Sequence, residues 1–183
     1  RLDFKHELAW AQALHEALPL DIRWRFDGNQ QLTPDQVAQL AAMPFKTRID
    51  YIEEPITDFY KFLCSNTLAV FPLPFALDES LKLVLDNNIN LAQLKLSGLK
   101  AFIIRPPSLG GYSAAMKAMR IADSFNLLSV LSSSIEGPWG FERLLYLLSA
   151  PTQSLSQAQA HGLDTRSLLN MEELCARIPK IPY

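Results

Sequence analysis

The chain contains 183 residues, of which 49% are hydrophobic and 20% are charged, and its formal net charge is −2. This composition is typical of a globular domain with a buried core, and no basic cluster indicates a nucleic acid or an anionic membrane as a partner. The apolar runs have the length of barrel strands and are shorter than the roughly 18 residues needed to cross a bilayer.

Strand-like and helix-like stretches alternate along the chain without a low-complexity linker. Apolar runs predict strands near 21–26, 48–52, 68–77, 100–104, 127–131 and 160–163, and helices are expected near 2–17, 33–42, 56–65, 79–86, 111–124 and 138–149. Because the Thr33 hydroxyl can cap free N–H groups while Pro34 occupies the first turn, a helix is expected to begin there. Strand, loop and helix in regular order predict an α/β fold with parallel strands.

An acidic residue closes three successive strand-like runs: Asp27 in RWRFDGN, Glu53 in RIDYIEEP and Asp78 in PFALDES. The intervals between them are 26 and 25 residues, as expected for repeated β/α units. A parallel barrel directs the last residue of every strand toward one mouth, so carboxylates at this spacing can converge although they are far apart in sequence. Three convergent carboxylates suit a hard divalent cation such as Mg²⁺.

The same spacing continues beyond the acidic residues. Arg105 ends the run LKAFIIR and Ser132 ends LLSVLS, each 27 residues after the preceding position, and Gly162 and Leu163 follow about one step later. We therefore count six β/α units. A complete eight-unit barrel usually needs about 250 residues, so we expect the chain to be the larger part of a barrel that opens upstream of Arg1.

Six motifs, RFDGN, YIEEP, LDES, FIIRP, VLSSSIEGPWG and GLDT, occur in this order along the chain. Together they resemble the C-terminal barrel of the enolase superfamily, and in particular its o-succinylbenzoate synthase family, from the first helix to about Thr165. The resemblance implies an α/β fold of the TIM type, a (β/α) barrel seen here as about six units. It implies that residues 1–183 are the C-terminal portion of the barrel domain, with an N-terminal capping domain and the first barrel strands outside the chain. Independently of the resemblance, the order of elements leads us to expect that the tail, from about Asp164 to Tyr183, packs on the outside.

The resemblance also assigns a metal site. In the superfamily the Mg²⁺ ligands close the third, fourth and fifth strands, which correspond here to Asp27, Glu53 and Asp78. Glu54 and Asn29 are implied to lie behind these ligands and to help order them. The chemistry needs a cation because removing a proton beside a carboxylate creates an enediolate with a second negative charge. A lysine near the metal can take that proton and return it.

Two departures from the superfamily pattern concern proton transfer. A KxK motif on the second strand is not in this chain, and its second lysine is expected just before Arg1. Arg105 occupies the position of the usual sixth-strand lysine, and it cannot act as a general base because arginine stays protonated. A fixed cation there favours a dehydration, in which one lysine can serve both proton steps. It disfavours racemisation, which needs acid/base groups on both faces of the carbon.

The resemblance implies that Ser132, Ser133 and Ser134, which follow the seventh strand of the superfamily, hold the substrate carboxylates.

The histidines show no metal-ligand spacing, so we interpret them as structural or surface residues. Only two cysteines are present, Cys64 and Cys175, and each lies in a helix-like stretch, which makes a secretory disulfide pair unlikely. We therefore expect a reducing cytoplasm.

Three functions remain open at this point. The first is a Mg²⁺-dependent lyase that makes o-succinylbenzoate, and the second is another enzyme of the superfamily, such as an N-acylamino-acid racemase or a dipeptide epimerase. The third is a non-catalytic domain that retains the metal site. Both enzymatic alternatives expect a small carboxylate substrate and neither a nucleic acid nor a membrane as partner. They leave open whether the protein is a monomer or a homo-oligomer.

Overall fold

The computed structural model describes residues 3–65, 70–149 and 160–163. Contacts divide the chain into two compact units, Arg1–Ala101 and Phe102–Tyr183, and the boundary falls inside one strand. Helices and parallel strands alternate, as the sequence predicts.

The first unit contains a parallel sheet in which chain order and spatial order agree. Its elements are α1 (Phe4–Ala17), β1 (Trp24–Asp27), α2 (Pro34–Ala42), a 3₁₀ helix (Pro44–Arg48), β2 (Ile49–Glu53), α3 (Phe59–Cys64), β3 (Phe75–Leu77), α4 (Glu79–Asp86), α5 (Leu91–Leu96) and the start of β4 (Leu99–Ile104). β2 lies between β1 and β3 and is parallel to both. The carboxyl ends of these three strands therefore lie at one edge of the sheet.

Burial on both faces fixes the central strand of this unit. Ile49, Tyr51 and Ile52 in β2 are at most 2% exposed, which is typical of a parallel strand covered on both sides. Phe59 of α3 and Phe75 of β3 pack edge to face, with their ring centroids 5.2 Å apart. Because a shift of one residue would move each of these side chains to the opposite face and disrupt its packing, the packing fixes the strand register and hence the residues at the strand ends.

Arg48 fixes the opposite end of β2. Its side chain is buried, and its Nε donates to the carbonyl oxygen of Ile22 (3.1 Å) while one terminal nitrogen donates to that of Leu18 (3.3 Å). The guanidinium carbon lies 4.7 Å from the ring centroid of Trp24, within the range of a cation–π contact. Arg48 thus connects the end of α1, the approach to β1 and the start of β2.

The second unit contains the remainder of β4, followed by α6 (Pro106–Leu109), α7 (Tyr112–Ser124), β5 (Leu128–Leu131) and α8 (Pro138–Leu148). β5 lies beside β4, and directly after it the backbone N–H of Ser132 donates to the carbonyl oxygen of Ile104 (3.1 Å). On its other side Ser132 forms a single parallel bridge with Gly162. The end of β5 is therefore held from two sides.

The strand predicted over 68–77 is shorter in the structure. Only Phe75–Leu77 forms a strand, and the described residues before it do not. Pro72 and Pro74 explain the difference, because proline has no N–H to donate to a neighbouring strand. Apolar character alone therefore overestimated the length of this strand.

Two other boundaries also differ from prediction. The helix expected over 56–65 begins only at Phe59, because Asp58 adopts a left-handed conformation with φ of 53°. The sixth strand, expected over 160–163, is reduced to the bridge at Gly162. The predicted position of the tail from Asp164 onward lies outside the described residues.

The helix start predicted at Thr33 is confirmed. Its hydroxyl oxygen accepts from the backbone N–H of Gln36 (3.2 Å), and the Gln36 side chain accepts from the N–H of Thr33 (2.8 Å).

The sequence prediction missed the short helix α5, which Asn90 caps by accepting from the N–H of Gln93 (3.1 Å). Among the residues described, no helix is long and apolar enough to cross a membrane.

Candidate active site

The three predicted metal ligands follow adjacent strands of the first unit. Asp27 and Glu53 are register partners at the ends of β1 and β2, and Glu53 is in turn the register partner of Ala76 in β3, two residues before Asp78. Asp27 is exposed, Glu53 is half-buried and Asp78 is buried. The backbone thus places all three acidic residues along one edge of the sheet.

Backbone hydrogen bonds join the loop after β1 to the loop after β2. The N–H of Gly28 donates to the carbonyl oxygen of Glu53 (2.8 Å), and the N–H of Gln30 donates to that of Glu54 (2.7 Å). A Cβ at Gly28 would lie 2.7 Å from the Cα of Pro55, which is closer than packed atoms approach. The glycine of RFDGN is therefore required for space beside YIEEP.

Asn29 acts on Asp27 through its backbone. Its N–H donates to Oδ1 of Asp27 (2.9 Å), and its φ of 46° lies in the left-handed region that asparagine tolerates. This turn therefore orients the Asp27 carboxylate, whereas the predicted role of Asn29 in a metal site stays a prediction.

Glu54 directly follows β2, and its buried carboxylate contacts the start of α4. Its Oε1 accepts from the backbone N–H groups of Asp78 (2.8 Å) and Ser80 (2.9 Å), and its Oε2 accepts from the Ser80 hydroxyl (2.8 Å). Burial raises the pKa of Glu54, and these hydrogen bonds act in the opposite direction. Glu54 therefore holds the segment that carries Asp78. The sequence interpretation missed Ser80, although its position two residues after Asp78 in LDES was a signal.

The residue types of Asp27, Glu53 and Asp78 and the positions of their backbones both suit a metal ion. Carboxylate oxygens are the ligands that Mg²⁺ prefers, and the three acidic residues end neighbouring strands. In the part of the chain that the structure describes, however, no three His, Cys, Asp or Glu side chains are grouped closely enough to hold an ion. Coordination by all three carboxylates would thus require their side chains to turn toward one another.

Arg105 and Ser132 are in contact in the second unit. Arg105 follows β4 and Ser132 follows β5, and Nε of Arg105 donates to Oγ of Ser132 (3.3 Å). The guanidinium is a permanent cation. Since Ser132 accepts from Arg105, its own hydroxyl hydrogen is directed elsewhere and can be donated to a ligand oxygen.

Ser133 and Ser134 are held by a residue that the sequence interpretation missed. The Ser133 hydroxyl donates to one carboxylate oxygen of Glu136, and the N–H of Ser134 donates to the other (2.8 Å). The signal was a glutamate three residues after Ser133 in SSSIE. Of the three predicted serines, the structure joins Ser132 to Arg105, and it joins Ser133 and Ser134 to Glu136.

Two cavities differ in their relation to these residues. One of about 80 Å³ adjoins Asp27 and Gly28 and has apolar walls that include Phe4 and Phe26. A larger, open cleft of about 700 Å³ lies at the start of α8, and its lining includes Trp139 but none of the predicted site residues. The predicted site therefore does not coincide with the larger of these cavities.

Family membership is decided by a match over almost the whole chain. Residues 1–179 match the model of the family described as enolase C-terminal domain-like. The chain belongs to this family. Its parallel α/β architecture is therefore that of an enolase-superfamily C-terminal domain, as the motifs predicted, and enzymes of this superfamily generally use Mg²⁺.

Individual relatives share a limited part of their sequence with this chain. The chain is 29% identical over 170 residues to o-succinylbenzoate synthase of Yersinia enterocolitica, covering 90% of the chain and 47% of that relative. It is 28% identical to the enzyme of the same name from Escherichia coli O127:H6, covering 88% of the chain and 48% of the relative. The chain thus spans about half the length of the curated relatives it matches.

A solved structure supports the same fold. MenC from Desulfotalea psychrophila superposes with a TM-score of 0.63 at 21% identity, covering 88% of the chain and 44% of that protein. This similarity establishes the architecture of the chain.

Proposed function

We propose that the protein containing this chain is a Mg²⁺-dependent lyase resembling o-succinylbenzoate synthase and acting in the cytoplasm. Its reaction would be the dehydration of 2-succinyl-6-hydroxy-2,4-cyclohexadiene-1-carboxylate to o-succinylbenzoate in menaquinone biosynthesis. The single observation that carries the proposal is Arg105 at the end of β4, because a permanent cation suits this dehydration and does not suit racemisation. The curated relatives named o-succinylbenzoate synthase support it.

In this proposal, the metal would be held by Asp27, Glu53 and Asp78. When bound, Mg²⁺ supplies positive charge that stabilises the negative charge developing on the substrate carboxylate. Glu54 fixes the backbone of Asp78 through its hydrogen bond at 2.8 Å, and Asn29 orients the carboxylate of Asp27 through its own at 2.9 Å. Because these groups are already held in place, little of the site has to rearrange when the metal and the substrate bind.

Arg105 and Ser132 would donate hydrogen bonds to the substrate. The guanidinium of Arg105 stays protonated, so it can face negative charge on the substrate but cannot remove a proton. The Ser132 hydroxyl, which accepts from Arg105 (3.3 Å), can donate its hydrogen to a substrate carboxylate oxygen. Both groups therefore bind and orient the substrate.

Proton transfer needs one lysine, which the family resemblance expects immediately upstream of Arg1. That lysine would take the proton from the ring carbon that bears the carboxylate. The same group would then return the proton to the leaving hydroxyl, so that one water departs and the ring becomes aromatic. One base on one face is sufficient for this sequence.

The test is an assay of the full-length protein with the cyclohexadiene substrate, with and without Mg²⁺. We expect turnover only with the metal, and a loss of at least about 100-fold in kcat/KM for Asp27→Asn and Glu53→Gln. Asp21→Asn is the matched control, because Asp21 is an exposed aspartate that precedes β1 whereas Asp27 ends it. Turnover that ignores Mg²⁺, or that survives both site substitutions, would refute the assignment.

A further inference from the structure

Glu136 closes a compact turn directly after β5. Its carboxylate accepts from the Ser133 hydroxyl and from the backbone N–H of Ser134 (2.8 Å). The oxygen of the Ser133 hydroxyl accepts in turn from the N–H of Ile135 (3.2 Å). One glutamate side chain thus organises both serines and the residue after them.

The backbone of this turn is strained at Ile135. Its φ is 61°, and its side chain is 52% exposed. A β-branched residue with positive φ is a conformational outlier, with a cost of order 1–3 kcal/mol that persists only where surrounding contacts impose it. Because the isoleucine side chain is half exposed, its own packing does not explain the strain. The constraint on Ile135 comes from its own N–H, which donates to Oγ of Ser133 (3.2 Å), a hydroxyl that Glu136 holds in turn.

Gly140 leaves room for the Glu136 side chain. A Cβ at Gly140 would lie 2.6 Å from Cβ and 3.0 Å from Cγ of Glu136. Gly140 lies in the first turn of α8, where alanine would otherwise favour the helix by up to about 1 kcal/mol. The carbonyl oxygen of Gly140 also accepts from the Tyr112 hydroxyl (2.9 Å). The glycine is therefore explained by the position of Glu136 rather than by the needs of the helix.

We propose that Glu136 is a positioning residue for Ser132, the serine that binds the substrate. By holding Ser133 and Ser134 it fixes the chain next to Ser132, whose Oγ lies 3.3 Å from Nε of Arg105. Since the hydroxyl hydrogen of Ser133 is donated to Glu136, the hydroxyl that reaches a substrate carboxylate is that of Ser132. This inference rests on the proposed function for the identity of the substrate.

The test compares Glu136→Ala, Glu136→Gln and Gly140→Ala in the full-length protein, with Glu142→Ala as the control because Glu142 is an exposed glutamate on α8. Steady-state kinetics with the cyclohexadiene substrate and hydrogen exchange at the Ser134 amide are measured for each variant. For Glu136→Ala we expect KM to rise about 10-fold with kcat within about 3-fold, and amide exchange to accelerate at least about 10-fold.

The other variants sharpen the result. Glu136→Gln keeps an acceptor for the Ser134 amide and should restore KM to within about 3-fold of the wild type. Gly140→Ala should resemble Glu136→Ala, and Glu142→Ala should match the wild type. If KM is unchanged in Glu136→Ala, the positioning role is wrong, whether or not amide exchange accelerates. A fall in kcat at constant KM would likewise overturn it, because the enzyme that remains folded would then bind the substrate normally without Glu136.

A failure of the proposed function is distinguishable from a failure of this inference. If the wild-type protein does not dehydrate the substrate, the proposed function fails, and the affinity for o-succinylbenzoate, measured by calorimetry, replaces KM. A roughly 10-fold weaker affinity in Glu136→Ala with unchanged affinity in Glu142→Ala would then support the positioning role. Equal affinities, or no binding by the wild type, would overturn it.

Discussion

Glu54 holds the backbone of Asp78 at the start of α4, with Oε1 of Glu54 accepting from the Asp78 N–H at 2.8 Å. Glu54 directly follows Glu53, which ends β2, and Asp78 directly follows β3. One buried carboxylate therefore connects the ends of two strands, each of which carries a predicted metal ligand. The relative positions of Glu53 and Asp78 depend on this connection.

Replacing Glu54 by alanine would leave two backbone N–H groups and the Ser80 hydroxyl without their acceptor. Each buried unsatisfied donor costs about 1–3 kcal/mol, so we expect Glu54→Ala to lower the free energy of unfolding in urea by about 3 kcal/mol or more. Glu54→Gln retains one acceptor oxygen and can donate to Ser80, so it should cost less than about 1.5 kcal/mol. Asp21→Ala, an exposed control, should stay within about 0.5 kcal/mol. Equal losses for the two Glu54 variants would contradict the hydrogen-bonding role.

Gly28→Ala tests the close approach between the two site loops. A Cβ there would lie 2.7 Å from the Cα of Pro55 and 2.8 Å from the carbonyl oxygen of Glu54, so we expect a loss of about 2–3 kcal/mol in unfolding free energy. Gly110→Ala is the comparison, because Gly110 has φ of 102° but no atom within 4 Å of an added Cβ. Its conformational cost should be about 1–2 kcal/mol. A smaller effect at Gly28 than at Gly110 would argue against the steric explanation.

Arg48→Lys should be destabilising although the charge is kept. The guanidinium of Arg48 donates from Nε to Ile22 and from a terminal nitrogen to Leu18, and it lies over Trp24. An ammonium group cannot reproduce this planar set of donors, and each lost hydrogen bond from a charged donor costs about 1.5–3 kcal/mol. We expect a loss of about 2 kcal/mol in urea unfolding. The exposed Arg120→Lys should change stability by less than about 0.5 kcal/mol, and a similarly small effect at Arg48 would contradict this role.

Racemisation is the alternative that Arg105 argues against. An N-succinyl amino acid incubated with the full-length protein in heavy water should keep its configuration, because arginine cannot serve as the second acid/base group. The α-hydrogen is followed by NMR and the configuration by chiral chromatography. Rapid exchange with scrambling of configuration would favour an N-acylamino-acid racemase instead.

The strand ends could be predicted from the sequence because they depend on regular spacing. Apolar runs and the interval between acidic residues were sufficient to predict that Asp27 and Glu53 end neighbouring parallel strands, and their register in the structure agrees. The same reasoning was wrong about the length of the strand before Asp78, since Pro72 and Pro74 interrupt it. Hydrophobicity reports burial, whereas a strand also needs N–H donors.

The supporting contacts could not be predicted because they depend on tertiary geometry. Glu53 and Glu54 are chemically the same, yet Glu54 is fully buried and turns toward α4, with a φ of 37° that no pattern in the sequence indicates. Glu136 stands three residues after Ser133 in SSSIE, but only the structure shows that it contacts Ser133 and Ser134. Residue type and spacing therefore identified the candidate ligands, and the three-dimensional contacts identified the residues that hold them.

The central claim is that Asp27, Glu53 and Asp78 together bind a divalent cation. The most direct test is a titration of the full-length protein with Mn²⁺, a paramagnetic substitute for Mg²⁺. Electron paramagnetic resonance measures the concentration of free Mn²⁺ at each point of the titration. We expect one site in the wild type and in Asp21→Asn. Affinity should be at least about 10-fold weaker in each of Asp27→Asn, Glu53→Gln and Asp78→Asn, since each loses a charged ligand. A wild-type protein without a site, or three variants that bind Mn²⁺ as the wild type does, would contradict the claim.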